Sequence, residues 1–277
     1  MTIKCLVSRT TLAAGLALTL AATAPAAFAQ ATATQQKPYE PKVGQAGKDV
    51  VWVPTSQELV NKMLDMAKVT AKDFVMDLGS GDGRTVITAA KRGATAVGIE
   101  FNPDMVELSK KNAVKEGVTD KASFMKADLF ETDLSKATVI TMFLLPDINI
   151  RLRPKILDLK PGTRVVSNSF TMEDWEADQT ESISGECTSW CTALLWIVPA
   201  KVEGTWQTPQ GELKLTQQFQ KVSGTLGSSK VEGKLNGDQI TLTTVGAAAK
   251  HTYTGKVASN QIQGTADGNG GWTATKR

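Results

Sequence analysis

The sequence predicts an α/β fold, a doubly wound and mostly parallel sheet, followed by a small all-β antiparallel meander or barrel. Three observations carry this expectation. Strand-like and helix-like apolar runs alternate between residues 51 and 199, as they do where crossover helices cover a parallel sheet. The first strand-like run ends in a glycine-rich turn, Gly79-Ser80-Gly81-Asp82-Gly83. After Pro199 helical spacing stops, and short alternating runs rich in Gly and Thr take over.

Order is expected from Val51-Trp52-Val53-Pro54 onward, while the polar stretch 30–50, with Pro38 and Pro41, reads as a flexible linker. Thr55-Ser56-Gln57-Glu58 matches a capping box with Thr55 as N-cap, opening a helix with Leu59, Val60, Met63, Leu64 and Ala67 on one face. Residues 74–78 form a buried strand, 85–91 a short helix and 95–100 a second strand. Asn102-Pro103 caps and opens the next helix, which stops at Gly117. Strands follow at 122–128, 137–144 and 162–170. Between the last two lies a helix at 146–157 that Pro154 should shorten or kink. Strands near 181–185 and 192–198 complete the sheet with a hairpin. In the tail, 231–240 and 253–262 each read as strand, tight turn, strand. Trp206 and Trp272, near the two ends of the meander, are placed to pack together in closing it.

The domain map is therefore a leader at 1–29, a linker at 30–50, a main domain at 51–200 and a β-domain at 201–277. Two domains fit 277 residues at about 150 residues each. The leader has Lys4 and Arg9, an apolar run from Thr11 to Ala22 and Ala27-Phe28-Ala29 before Gln30. This is the pattern of a cleaved secretory signal peptide. An apolar core of about 12 residues falls short of the roughly 20 that span a bilayer, so no stable membrane span is expected after cleavage. A twin-arginine signal is weaker, because a second arginine beside Arg9 is missing. The expected location is exported, periplasmic or secreted.

Composition excludes several chemistries. Of the net charge of +3, the leader holds +2, leaving +1; no nucleic-acid partner is expected from bulk charge. A single histidine, His251, read as a surface residue, excludes histidine-ligated metal sites and Ser-His-Asp triads. No metal is expected. Cys187 and Cys191 flank Thr-Ser-Trp; an oxidising compartment favours a structural disulfide over free thiols or a redox pair.

The glycine-rich turn carries the site. A dinucleotide fingerprint starting at Gly79 needs glycine where Arg84 stands, so a nicotinamide oxidoreductase is disfavoured. Asp77, Asp82, Glu100 and Asp128 fall at strand ends around one crevice, where they repel phosphates. They favour a cofactor with cationic groups and a ribose diol, such as S-adenosyl-L-methionine. Glu100 ends the strand after the turn, the position from which a carboxylate binds a ribose.

These residues, with Lys126-Ala127-Asp128-Leu129, resemble the class I, seven-stranded S-adenosylmethionine-dependent methyltransferases, which have a Rossmann-like sheet. Val53-Pro54-Thr55, the run from Asp77 to Arg84, Phe143-Leu144-Leu145-Pro146 and Trp175 are similar to the protein-lysine branch. That branch includes the mitochondrial enzymes that modify ATP synthase and the adenine nucleotide translocase. The resemblance implies that Gly79, Ser80, Gly81, Asp82 and Gly83 form the cofactor turn, with the glycines letting the backbone approach. It also implies that Glu100 holds the ribose, Asp128 and Leu129 the adenine, and that Asp77 lies near the methionine amine. Pro54, Thr55, Leu145, Pro146, Asp147 and Trp175 are expected around the methyl acceptor; Leu145-Pro146-Asp147 follows the fourth strand, on the edge where doubly wound sheets bind ligands. Methyl transfer is an in-line displacement in which positioning and desolvation contribute much, and no residue is assigned as catalytic. The expected acceptor is a nitrogen, with a protein lysine the leading case. The competing function is an inactive, methyltransferase-like exported binding protein acting through its β-domain.

Overall fold

The computed structural model describes residues 39–185, 187–246 and 250–277. The expected leader and the first part of the expected linker lie outside these. Seven strands make one sheet: β1 (Phe74–Leu78), β2 (Thr95–Glu100), β3 (Ala122–Lys126), β4 (Val139–Met142), β5 (Arg164–Asn168), β6 (Gln179–Ser182) and β7 (Thr192–Ile197). Their order is β3-β2-β1-β4-β5-β7-β6, with the first five parallel and β7 antiparallel between β5 and β6. The order reverses at β1 and β4, and a crevice opens there beyond the strand C-termini.

Among the described residues four helices cover the sheet: α1 (Gln57–Met66), α2 (Arg84–Lys91), α3 (Pro103–Lys115) and α4 (Pro146–Leu157). The apolar stripe of α1, with Met63 and Met66, is buried. Its N-cap is Ser56, whose hydroxyl accepts from Leu59 N at 3.3 Å, not Thr55 as the capping box suggests. Thr55 is buried and takes a hydrogen bond from Asn168 Nδ2 at 3.2 Å; this tertiary contact displaces the cap by one residue. Asn102 caps α3 as expected. Pro154 does not shorten α4, since Leu152 and Ile156 on either side of it are buried and hold the last turn down.

A second body follows. Strands β8 (Gly204–Thr208), β9 (Gly211–Gln218), β10 (Lys221–Leu226), β11 (Ser229–Asn236), β12 (Gln239–Val245), β13 (Thr252–Ala258), β14 (Gln261–Ala266) and β15 (Gly270–Lys276) close into an antiparallel barrel. The two similar segments are the β11–β12 and β13–β14 hairpins. Each is joined by a two-residue turn whose first residue, Gly237 or Ser259, has positive φ, which suits the twist of a hairpin. Trp206 and Trp272 are both buried in the barrel core, but the ring against Trp272 is Tyr253, with centroids 5.4 Å apart. His251 is exposed and bonds Asp267 at 2.7 Å.

The barrel is fastened to the sheet body. Phe219, between β9 and β10, stacks on Trp175 at 5.7 Å. Gln220 Nε2 donates to Glu176 O at 2.8 Å, and Ala200 N donates to Gly237 O at 2.8 Å. Lys234 pairs with Asp178 at 2.8 Å.

Candidate functional site

The crevice at the reversal point encloses roughly 1070 Å³, including its open mouth. Its floor is the turn between β1 and α2. Gly79 N and Ser80 N donate to Ile99 O at 2.9 and 3.0 Å, which draws the turn over the end of β2. Gly79 and Gly81 have φ of +76° and +54°, conformations that only glycine adopts without strain. A Cβ on Gly81 would meet Trp52 Nε1 at 2.6 Å.

Glu100, at the end of β2, is clamped by backbone. Its Oε2 accepts from Gly81 N and its Oε1 from Asn102 N, both at 2.9 Å. Each oxygen keeps further acceptor capacity and Glu100 lines the crevice, so the carboxylate can accept from both hydroxyls of a vicinal diol. Asp77 ends β1 and is buried, with Thr141 Oγ1 donating to its Oδ1 at 2.6 Å. Burial, reinforced by the charges of Glu100 and Asp82, pushes its pKa up to about 7.

The other two carboxylates are paired with cations, so the acidic ring is only half uncompensated. Arg84 Nη2 lies 2.6 Å from Asp82 Oδ2, and Arg84 Nη1 donates to Thr55 O at 2.8 Å. Lys48 Nζ bonds Asp128, whose other oxygen accepts from Phe130 N at 2.8 Å. The Lys48 contact and that amide hold Asp128 below the usual carboxylate range. The two carboxyl groups without a cationic partner are Asp77 and Glu100, where an amine and a ribose are expected.

Asp77, Gly79, Ser80, Gly81, Asp82, Glu100, Asp128 and Leu129 all line this one cavity, as do Pro54 and Thr55. Ser80 contributes its backbone. Its Oγ lies 2.5 Å from where a Cβ on Gly98 would stand, so the side chain packs under the turn. Five expected residues are not in the lining. Gly83 is the N-cap of α2 with φ +84°, and a Cβ there would strike Phe124 at 2.7 Å. Leu145, Pro146 and Asp147 open α4 beyond the wall, Leu145 and Asp147 being exposed. Trp175 is fully buried, between Phe219 and Trp196; it belongs to the joint with the barrel and not to an acceptor pocket.

Residues 39–50 are not a free linker where the structure describes them. Gly44 N donates to Trp52 O at 2.8 Å and Trp52 N to Gln45 O at 2.9 Å, folding the segment into a strap that lines the cavity from Gln45 to Val53. Low hydropathy concealed this, because Lys48 and the glycines are held by Asp128 and by backbone rather than by an apolar face. Trp52 was the one legible signal. Phe101, Met105, Phe143 and Leu144 also line the cavity.

The residues present fit S-adenosylmethionine. The glycine cradle admits backbone approach, Glu100 offers two acceptors, and Asp77 is a buried carboxylate that a cationic amine would satisfy. Cys187 and Cys191 are joined by a disulfide in the loop between β6 and β7, and no group of three or more metal-ligating side chains occurs among the described residues.

Comparison with known proteins agrees with this chemistry. Residues 77–179 match the family described as the ANTKMT methyltransferase domain. A protein-lysine N-methyltransferase of Saccharolobus islandicus is 50% identical over 129 residues, which are 46% of this chain and 80% of that protein. The adenine nucleotide translocase lysine N-methyltransferase of Mus musculus is 33% identical over 129 residues, 46% of this chain and 56% of that protein. Among solved structures, an RNA methyltransferase from Salinibacter ruber in complex with S-adenosyl-L-homocysteine is 45% identical. It matches with a TM-score of 0.51, over 54% of this chain and 96% of that one. The relatives, the sheet order and the cavity converge: the chain belongs to the ANTKMT-type family of S-adenosylmethionine-dependent methyltransferases.

Proposed function

We propose that this methyltransferase is exported and transfers methyl groups to a lysine amine of a protein. The observation that carries the acceptor is the 50% identity with an enzyme named a protein-lysine N-methyltransferase. Export is supported by the leader-like residues 1–29, which lie outside the described residues, and by the Cys187–Cys191 disulfide, a bond that persists in oxidising compartments.

When bound, S-adenosylmethionine supplies a sulfonium methyl that passes in line to the acceptor nitrogen, the carbon–sulfur pair staying on sulfur and the amine proton going to water. Glu100, fixed by Gly81 N–H and Asn102 N–H, would hold the ribose hydroxyls. Asp77 takes the charge of the methionine amine and gives up its own proton in doing so. Asp128 and Leu129, in the cavity wall, would face the adenine, and the strap from Gln45 to Val53 would limit water access.

RNA is the competing acceptor, since the Salinibacter relative bears that name. A net charge of +1 without the leader argues against it. The test is calorimetric titration of residues 30–277 with S-adenosylmethionine and S-adenosylhomocysteine, then tritium transfer to poly-L-lysine and to total RNA. Micromolar binding with transfer to lysine is expected. Transfer to RNA alone overturns the acceptor, and well-folded protein with no cofactor binding leaves the β-domain binding reading in its place.

A further inference from the structure

Outside the cofactor contacts one feature stands unexplained. Trp190 lies in the loop closed by Cys187 and Cys191, is 46% exposed, and has a φ of +55°, a conformation that bulky residues rarely adopt. It packs edge-on against Phe143 at 5.9 Å, and Phe143 stacks on Phe170 at 5.8 Å. Phe143 lines the cofactor cavity. An aromatic path therefore runs from the cavity wall to the surface, ending on a side chain whose backbone a disulfide loop constrains.

We propose that Trp190, with Phe143 and Phe170, forms the acceptor mouth of the methyl-transfer site, a specificity-determining surface for the stem and amine of a lysine, and that the Cys187–Cys191 disulfide holds it in place. This rests on the lysine-acceptor reading above. The occupant follows from chemistry and continuity. Aromatic faces attract an ammonium and cover an aliphatic stem. Deeper along the same path, desolvation disfavours the charged amine, releasing the neutral nitrogen that attacks. The disulfide closes the loop that carries Trp190, and the packing on Phe143 sets the ring. Trp190 and Phe170 lie outside the lining of the cofactor cavity, so their substitution tests the mouth separately from cofactor binding.

The test uses residues 30–277 with Trp190→Ala, Trp190→Phe and Cys187→Ser/Cys191→Ser, alongside the wild type with and without dithiothreitol. Poly-L-lysine is the acceptor. Trp190→Ala should raise the acceptor KM at least fivefold, with kcat and the S-adenosylhomocysteine Kd within twofold. Trp190→Phe should restore most of the loss, and reduction or the double serine variant should reproduce part of it. An unchanged acceptor KM in Trp190→Ala overturns the proposal. If cofactor binds but no variant methylates poly-L-lysine, the lysine reading of catalysis fails. The mouth is then judged by fluorescence of the S-adenosylhomocysteine complex, as wild type minus Trp190→Phe, titrated with Nα-acetyl-lysine amide. A saturable change upholds it; a flat difference overturns it.

Discussion

The parallel sheet and the barrel both bury apolar cores, yet the sheet also gathers a cluster of buried polar groups at its C-terminal edge. Asp77, Thr141, Ser167 and Asn168 lie at the C-terminal ends of β1, β4 and β5, where every chain turn must leave the sheet in the same direction. Positive φ at Gly79, Gly81 and Gly83 sits at that edge too. The barrel uses its interior otherwise. Trp206, Tyr253 and Trp272 fill it, and its buried Thr208 and Gln220 are satisfied by backbone carbonyls. Closing a sheet on itself removes edges, and in this eight-stranded barrel buried side chains fill the interior. Opening it at a reversal point leaves a crevice that side chains from separate strands can line. The difference puts the crevice in the first body, and the second packs against that body where Phe219 meets Trp175.

The sharpest way to break this division is at the joint. Trp175→Ala should lower stability by about 3–5 kcal/mol, the usual cost of a large aromatic removed from a core, while the Kd for S-adenosylmethionine of the folded variant stays within twofold. Chemical denaturation followed by calorimetry checks both; a large loss of cofactor affinity in folded protein would make the barrel part of the site. Next in size is Gly81→Val. With φ at +54° and Trp52 Nε1 at 2.6 Å from the new Cβ, cofactor affinity should fall by more than about 100-fold, the effect of forcing a side chain into left-handed backbone. Glu100→Ala should weaken S-adenosylmethionine by about 10- to 50-fold, as expected for losing hydrogen bonds to a charged acceptor, and should leave the unfolding of the barrel unchanged.

Proton linkage gives a smaller effect. Asp77 is held up to about 7 by burial, and a cationic amine selects its ionised form, so cofactor affinity should rise about tenfold from pH 5.5 to 7. Asp77→Asn should flatten that profile. The stability of the free protein runs the other way. The native state keeps a proton that the unfolded chain releases near its ordinary value, so this contribution is full below about pH 4 and is lost as pH rises through 7. Smallest of all, Lys48→Ala should change cofactor affinity by no more than about threefold, since exposed ion pairs contribute little; a tenfold gain would identify Lys48 as a competitor for Asp128.

Much of this was legible in advance. Alternating periodicity marked the sheet, and the run from Asp77 to Asp82 with Glu100 and Asp128 marked the crevice they line, because glycine turns and strand-end carboxylates are local features. The strap was not legible, because residues 39–50 have no apolar period and are held by partners such as Asp128, 80 residues beyond Lys48. Trp175 misled for the same reason: a tryptophan after the fifth strand suits a pocket or a joint equally well until Phe219, from another body, stacks on it.

Order of elements, the glycine turn, the charges available to the crevice and the pair of tight hairpin turns were therefore properties of the sequence alone, since each depends on spacing along the chain. Barrel closure, the pairing of Arg84 with Asp82 and Lys48 with Asp128, the rise in the Asp77 pKa and the ring path from Phe143 to Trp190 were decided only by the tertiary structure. Each needs two segments distant in sequence to meet, and burial and electrostatics have no value until they do.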